Sequence, residues 1–276
     1  MQRIKKCLFP VAGYGTRFLP ATKAVAKEML PILTKPLIQY GVEEAVEAGC
    51  NTIAMVTSKH KKSIEDHFDT HSDIENAIKG SSKEELVSDL NSLISSANYT
   101  FIRQKSMRGL GDAILTGEPL IGDEPFAVIL ADDLCFNEDK SVLEQMVEIF
   151  NSYQCTIVAI QEVPLKDTNK YGVIAGEKID NRDDLYLVST MVEKPEPKDA
   201  PSNLAIIGRY ILTPDIFDIL RDTKPGKAGE IQITDAILEQ AKKGKVIGLK
   251  FKGKRFDCGN VDGFVEATNF FYSRRK

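Results

Sequence analysis

The stretch Pro10-Val11-Ala12-Gly13-Tyr14-Gly15-Thr16-Arg17-Phe18-Leu19-Pro20 is followed closely by Lys27-Glu28-Met29-Leu30-Pro31. Glycines let backbone N–H groups approach an anion, and oriented amides form a concave anion site. Gly13, Gly15 and Thr16 supply such a turn, and Arg17 and Lys27 add full positive charge beside it. That is the chemistry of a polyphosphate cradle. A plain strand-to-helix corner would explain the glycines alone, but not the two cations with them. Two other glycine loops are excluded. A dinucleotide fingerprint needs a third glycine where Phe18 stands, and a P-loop needs glycine followed directly by Lys and Ser or Thr, a run absent here.

Other groups complement the cradle. Asp132-Asp133 ends the apolar run Val128-Ile129-Leu130-Ala131. Unpaired carboxylates are expected there at a solvent-facing sheet edge, where oxygen ligands and substrate phosphates suit Mg²⁺. Aspartates at strand ends also serve as caps or solvated turns; the phosphate cradle on the same edge favours the metal. Asp257, in Arg255-Phe256-Asp257-Cys258-Gly259-Asn260, is a candidate second ligand of that ion. Gln104 offers an amide donor and acceptor that suit a pyrimidine edge, with Gly109 and Gly111 admitting backbone groups near the base. An ordinary loop explains those residues equally well in isolation. In Glu193-Lys194-Pro195 the carboxylate suits sugar hydroxyls and the ammonium a phosphate, although surface ion pairs look the same. Gly172, within Tyr171-Gly172-Val173, and Asn203 are plausible neighbours.

Histidine is scarce. His67 and His71 stand one helical turn apart, but Phe68 follows the first where a metalloprotease carries Glu. A solvated helix face is the favoured reading. With only three histidines, a Ser–His or Cys–His nucleophile has little support. The site must work by charge and positioning, which fits phosphoryl-type transfer.

The elements that must hold these groups alternate. Strands are predicted at Ile4–Val11, 51–57, 99–104 and 126–131, and helices at 37–48, from about Lys61, within 73–97 and from about Gly111. Ser82 and Glu85 stand at capping-box spacing. This alternation predicts a doubly wound, Rossmann-like α/β sheet, mixed but mostly parallel, with helices on both faces and ligands at the carboxyl ends of the strands. Residues 156–163, 172–175, 185–193 and 204–212 read as a β-rich extension holding a second ligand. Helices at 215–221 and 230–243, a strand at 246–251 and a helix from about Asp262 follow. One domain over 1–276 is expected, with a nucleotide half to about 155 and a second half beyond it.

Bulk properties narrow the class. The chain of 276 residues carries a net charge of −4, which argues against a nucleic-acid binder. The five cysteines include no Cys-x-x-Cys, as expected of reduced cysteines in a cytoplasmic protein. No secretory signal is legible, and no apolar run approaches membrane-span length.

Taken together, residues 11–17, 19–24 and 27–31, Gln104, Gly109-Leu110-Gly111, Asp132, Tyr171-Gly172-Val173, Val192-Glu193-Lys194-Pro195, 202–210, Glu230-Ile231-Gln232 and Asp257-Cys258-Gly259-Asn260 resemble the sugar-nucleotide pyrophosphorylases. The match runs in family order along essentially the whole chain. The resemblance implies the nucleotide-diphospho-sugar transferase fold. It also implies transfer of uridylyl from UTP to glucose 1-phosphate, giving UDP-glucose and pyrophosphate with Mg²⁺, in a homodimer or homotetramer that binds neither nucleic acid nor membrane. Backbone groups of Ala12 and Gly13, with Gln104 and Gly109, would then hold the uracil. Arg17 and Lys27 would neutralise the triphosphate. Asp132 and Asp257 would bind Mg²⁺. Lys194 would grip the sugar phosphate, with Glu193, Gly172 and Asn203 on the sugar. Asp112, where many relatives are expected to carry histidine, and Asp133, which extends a usual single aspartate, depart from the pattern. A thymidylyltransferase on the same fold, a metal-dependent glycosyltransferase and a non-catalytic nucleotide-sugar sensor are the alternatives.

Overall fold

The computed structural model describes residues 2–70, 72–226 and 229–275. The central sheet has nine strands: β1 (Lys6–Pro10), β2 (Thr52–Thr57), β3 (Asn98–Arg103), β4 (Phe126–Ile129), β5 (Thr156–Glu162), β6 (Gly172–Lys178), β7 (Leu185–Glu193), β8 (Leu204–Leu212) and β9 (Val246–Lys250). Their order is β3-β2-β1-β4-β8-β5-β9-β7-β6. β1–β4 are mutually parallel, as the crossover pattern requires. β7 and β8 run against the other strands, which makes the sheet mixed.

Strand alternation splits the core into two layers. Cys7 and Phe9 face a layer with helices Leu37–Glu47 and Val142–Tyr153, through Ile38, Val42, Met146 and Phe150. Leu8 and Val128 face the other, with Ile114, Phe217, Leu220 and Ile237 from helices Leu110–Thr116, Ile216–Asp222 and Ile233–Ala241. The helix Val142–Tyr153 has no counterpart among the elements expected from the sequence, yet it carries a complete capping box, Ser141 with Glu144. The box expected at Ser82 and Glu85 does not form. Ser81 instead caps the short turn Ser82–Glu84, its Oγ accepting from Lys83 N.

A separate ribbon pairs Asp133–Phe136 with Lys254–Asp257, aligning Asp133 with Asp257. The terminal helix Val261–Ser273 covers it through Phe270 and Phe271 against Phe256. No helix among the described residues is long and apolar enough to cross a membrane. His71 lies outside the described residues. His67 Nε2 meets Gln39 Oε1 at 3.0 Å, a structural contact.

Two features build the site. The carboxyl ends of β1–β4 share one edge, so residues 11–17, Gln104 and Asp132 leave the sheet together. β8 runs past the end of β4: Arg209 pairs with Ile129, while Leu204 and Ala205 pair with Ile174 and Val173 of β6. The β6–β7 ribbon is thereby carried beyond the carboxyl edge, bringing Gly172 and Glu193 to the site.

Candidate active site

After β1, Gly15 adopts φ 68°, a left-handed turn residue, and its carbonyl accepts from Thr22 Oγ1 at 2.7 Å. A Cβ there would press on Lys27 Cβ at 3.0 Å, so glycine lets the loop close onto the lysine. Gly13 differs: nothing lies within 4 Å of where its Cβ would be, leaving its backbone open to a ligand. Thr16 and Arg17 begin a short 3₁₀ turn.

Lys27 Nζ donates to Asp132 Oδ2 at 2.6 Å, and Arg17 Nη2 lies 3.8 Å from the same oxygen. Burial alone would push the Asp132 carboxyl up; the Lys27 ammonium outweighs it and holds the group below the usual range. Burial likewise works to lower Lys27, and Asp132 reverses it, so the lysine stays charged. Behind them lies the buried pair Lys61–Glu28 at 2.5 Å, with Glu28 Oε1 lacking a hydrogen-bond partner among the described residues. Alternating charges therefore run Lys61, Glu28, Lys27, Asp132, Arg17.

A cavity of about 280 Å³ gathers Arg17, Asp132 and Asp257 with Gly172, Glu193 and Lys194. Glu193 Oε2 accepts from Thr234 Oγ1 at 3.1 Å, and its Oε1 lies 3.4 Å from Lys194 Nζ. Lys194 has φ 46°, a strained conformation for a non-glycine residue of the kind that clusters at functional sites. Its N–H is tied to Tyr171 O at 2.9 Å.

Gly172 pairs with Glu193 across the ribbon. A Cβ on it would come within 2.7 Å of Thr234 Cγ2 and 3.2 Å of Glu193 Oε2. Gly172→Ala should therefore displace both side chains, at about 1–3 kcal/mol of stability. Thermal melts of the variant against wild type read that loss. An unchanged melting temperature would show that Thr234 and Glu193 have room to spare.

Other expected residues stand differently. Asp133 is not a solvent-facing carboxylate. It is buried, accepting from Arg255 Nε at 2.5 Å and from Gly208 N at 2.8 Å, because the ribbon and β8 close over it. Nor is Asp132 unpaired, given Lys27. Gly109 (φ 97°) and Gly111 do permit a close approach, but to Ile231: a Cβ on either would fall 2.8 Å from Ile231 O. Gln104 is buried against Asp112, and Ala12 is buried just before Gly13. Asn203 does not line the cavity; its carbonyl accepts from Val163 N. On the far side of the glycine loop, Gly13 and Tyr14 border a second cavity of about 480 Å³ lined by Lys23, Lys59, Lys61 and Lys62.

The nucleotidyl transferase family model matches residues 10–274. The chain belongs to that family. It is 64% identical over 270 residues to the UTP–glucose-1-phosphate uridylyltransferase of Pseudomonas aeruginosa, covering 98% of this chain and 96% of the relative. It superposes with a TM-score of 0.90 on a UDP-glucose pyrophosphorylase crystallised with UDP-glucose, at 59% identity over 99% of this chain and all of that one. It also superposes with a TM-score of 0.90 on the UTP-bound enzyme of Acinetobacter baumannii, at 34% identity over 99% and 94% of the two chains.

For a nucleotidyl transferase that uses a divalent ion, the residues present fit Mg²⁺. Asp132 and Asp257 offer hard oxygen donors in one cavity, and Asp132 is held ionised. Arg255 and Thr234, not singled out from the sequence, also line this cavity. Arg255 joins Asp133 to the Tyr171 hydroxyl, to which its Nη1 donates at 3.2 Å. Thr234 reaches the cavity from the helix Ile233–Ala241, and Gln232, part of the stretch 230–232 quoted from the sequence, reaches it from the cap of that helix. Arg255 had a signal, since it alternates with Asp257 on one strand and so shares its face. Lys61 had none: it pairs across 33 residues.

Proposed function

We propose that the protein transfers the uridylyl group of UTP to glucose 1-phosphate, making UDP-glucose and pyrophosphate. The observation that carries this reading is one cavity that gathers Arg17, Asp132 and Asp257 with Glu193 and Lys194. A phosphate oxygen of glucose 1-phosphate attacks the α-phosphorus of UTP in line. The new O–Pα bond forms as the bond from Pα to the bridging oxygen breaks, and that electron pair leaves with pyrophosphate. The attacking oxygen is already ionised, so no general base is needed.

What limits the reaction is repulsion between two polyanions. Lys194 holds the attacking phosphate, Arg17 and Lys27 offset charge on the triphosphate, and Glu193 orients the sugar hydroxyls. Asp132 and Asp257 would hold Mg²⁺, which supplies further neutralisation of phosphate charge when bound. Gly13, Gly15 and Thr16 shape the nucleotide side, with Ala12, Gln104 and Gly109 at the base and Asn203 near the sugar. A cytoplasmic homodimer or homotetramer belongs to the same reading.

The test is pyrophosphate release with Mg²⁺ across nucleoside triphosphates and sugar 1-phosphates. The highest kcat/KM is expected with UTP and glucose 1-phosphate. A preference for dTTP would make it a thymidylyltransferase, and no pyrophosphate from any pair would overturn the reading. In the same assay Lys194→Ala should lower kcat/KM for glucose 1-phosphate about 10²-fold. KM for UTP should move little, and the half-exposed side chain predicts an unchanged melting temperature.

A further inference from the structure

Gln104 follows β3, and its N–H donates to Thr57 O at 2.9 Å, while Val11 N donates to Val56 O on the same β2 strand. Gln104 and Val11 therefore leave the sheet side by side, at the edge where Gly13 leaves open space. Gln104 Nε2 donates to Asp112 Oδ2 at 2.7 Å. Arg108 closes on the other oxygen, with Nε and Nη2 donating to Asp112 Oδ1 at 3.1 and 2.7 Å.

A carboxylate paired with a guanidinium only accepts, so the amide must turn its NH₂ toward Asp112; two oxygens at 2.7 Å would repel. Oε1 is then the amide atom left to accept. Among the described residues no protein donor reaches it. The sealed, unpartnered side-chain atoms among them are Glu28 Oε1 and Thr100 Oγ1, so Gln104 Oε1 keeps contact with solvent.

We propose that Asp112 is a positioning residue that locks the Gln104 amide with its carbonyl toward the base. The site then selects a pyrimidine carrying N3–H and rejects one whose N3 is a lone pair. Resting on the uridylyl-transfer reading, this names the feature of the base that the protein tests. Uracil and thymine both present N3–H, so the lock separates UTP from CTP but not from dTTP. Cytosine would set its N3 lone pair against Oε1, leaving two buried acceptors face to face.

Asp112→Asn separates positioning from a merely structural role. The single side-chain oxygen left by that substitution would be claimed by Arg108, the stronger donor, which turns the new NH₂ group toward Gln104. The Gln104 amide must then flip and offer NH₂ to the base.

The experiment measures pyrophosphate release with UTP and with CTP, at saturating glucose 1-phosphate and Mg²⁺, for wild type and Asp112→Asn. The ratio of kcat/KM for UTP over CTP should fall at least tenfold, with an absolute gain for CTP and an unchanged KM for glucose 1-phosphate. An unchanged ratio in a folded variant overturns the proposal. Should Asp112→Asn not fold, Gln104→Met decides. Having lost the acceptor, it should lose at least tenfold of the ratio through UTP alone, and undiminished discrimination overturns the proposal. A wild type that releases no pyrophosphate from UTP and glucose 1-phosphate would instead overturn the parent reading.

Discussion

Asp132→Asn is expected to lower kcat for pyrophosphate release by about 10³-fold, roughly 4 kcal/mol of barrier, while the fold persists. Asparagine preserves the shape of the side chain and removes only its charge. That charge holds the Lys27 ammonium at 2.6 Å and draws Arg17 to 3.8 Å, fixing both cations where the triphosphate is proposed to lie. Without it the two cations repel each other and lose their common anchor. The same substitution alters one of the two donors proposed for Mg²⁺, so on that proposal half-maximal activity should need more of the ion. Folding should survive because a fifth of the Asp132 side chain and of the Lys27 side chain remains in contact with solvent. Near-normal kcat at saturating Mg²⁺ would remove Asp132 from the reacting centre.

The largest stability effect is expected far from any substrate. Arg209 is 1% exposed, the largest fully buried side chain among the described residues. Its Nε and Nη2 donate to the Glu44 carboxylate at 3.0 and 2.7 Å, and its Nη1 to Leu130 O and Gly208 O. Glu44 Oε1 also accepts from Leu143 N, in the first turn of helix Val142–Tyr153. Glu44→Ala would strand a buried guanidinium and an N–H together, at a cost of about 3–5 kcal/mol. For a chain of this size that corresponds to about 5–9 °C in Tm. Replacing both partners, as in Glu44→Leu with Arg209→Met, should recover much of the loss, since no buried charge then remains. The double variant should still bind sugar phosphate less well. Leu130 O and Gly208 O, which Arg209 holds, flank the turn carrying Asp132 and Asp133. Thermal melts of the single and double variants check the first point. A single variant whose melting temperature matches wild type would show the pair to be dispensable.

Much of this protein was legible along the chain because its signals are local. Short continuous apolar runs mark strands, and glycine beside Arg17 and Lys27 marks an anion loop. A carboxylate after an apolar strand marks the edge where α/β sheets bind ligands. The parallel strands β1–β4 then follow from crossover handedness, and with them the meeting of residues 11–17, Gln104 and Asp132. Other features depend on partners distant in sequence. Asp133 looks like its neighbour, yet it opens the strand that pairs with Lys254–Asp257, and that ribbon buries it against Arg255, a partner 122 residues away. Gly109 and Gly111 read locally as a loop that admits backbone groups; that a Cβ on either would meet Ile231, far along the chain, no local pattern encodes. Glu193 and Lys194 reach the phosphate edge only because β8 overruns β4 and carries the ribbon of β6 and β7 with it, which no local pattern encodes. Residue type and spacing thus determined which groups carry charge and on which strand ends they sit. Long-range packing decided which charges are left free for substrate and which are consumed in holding the fold together.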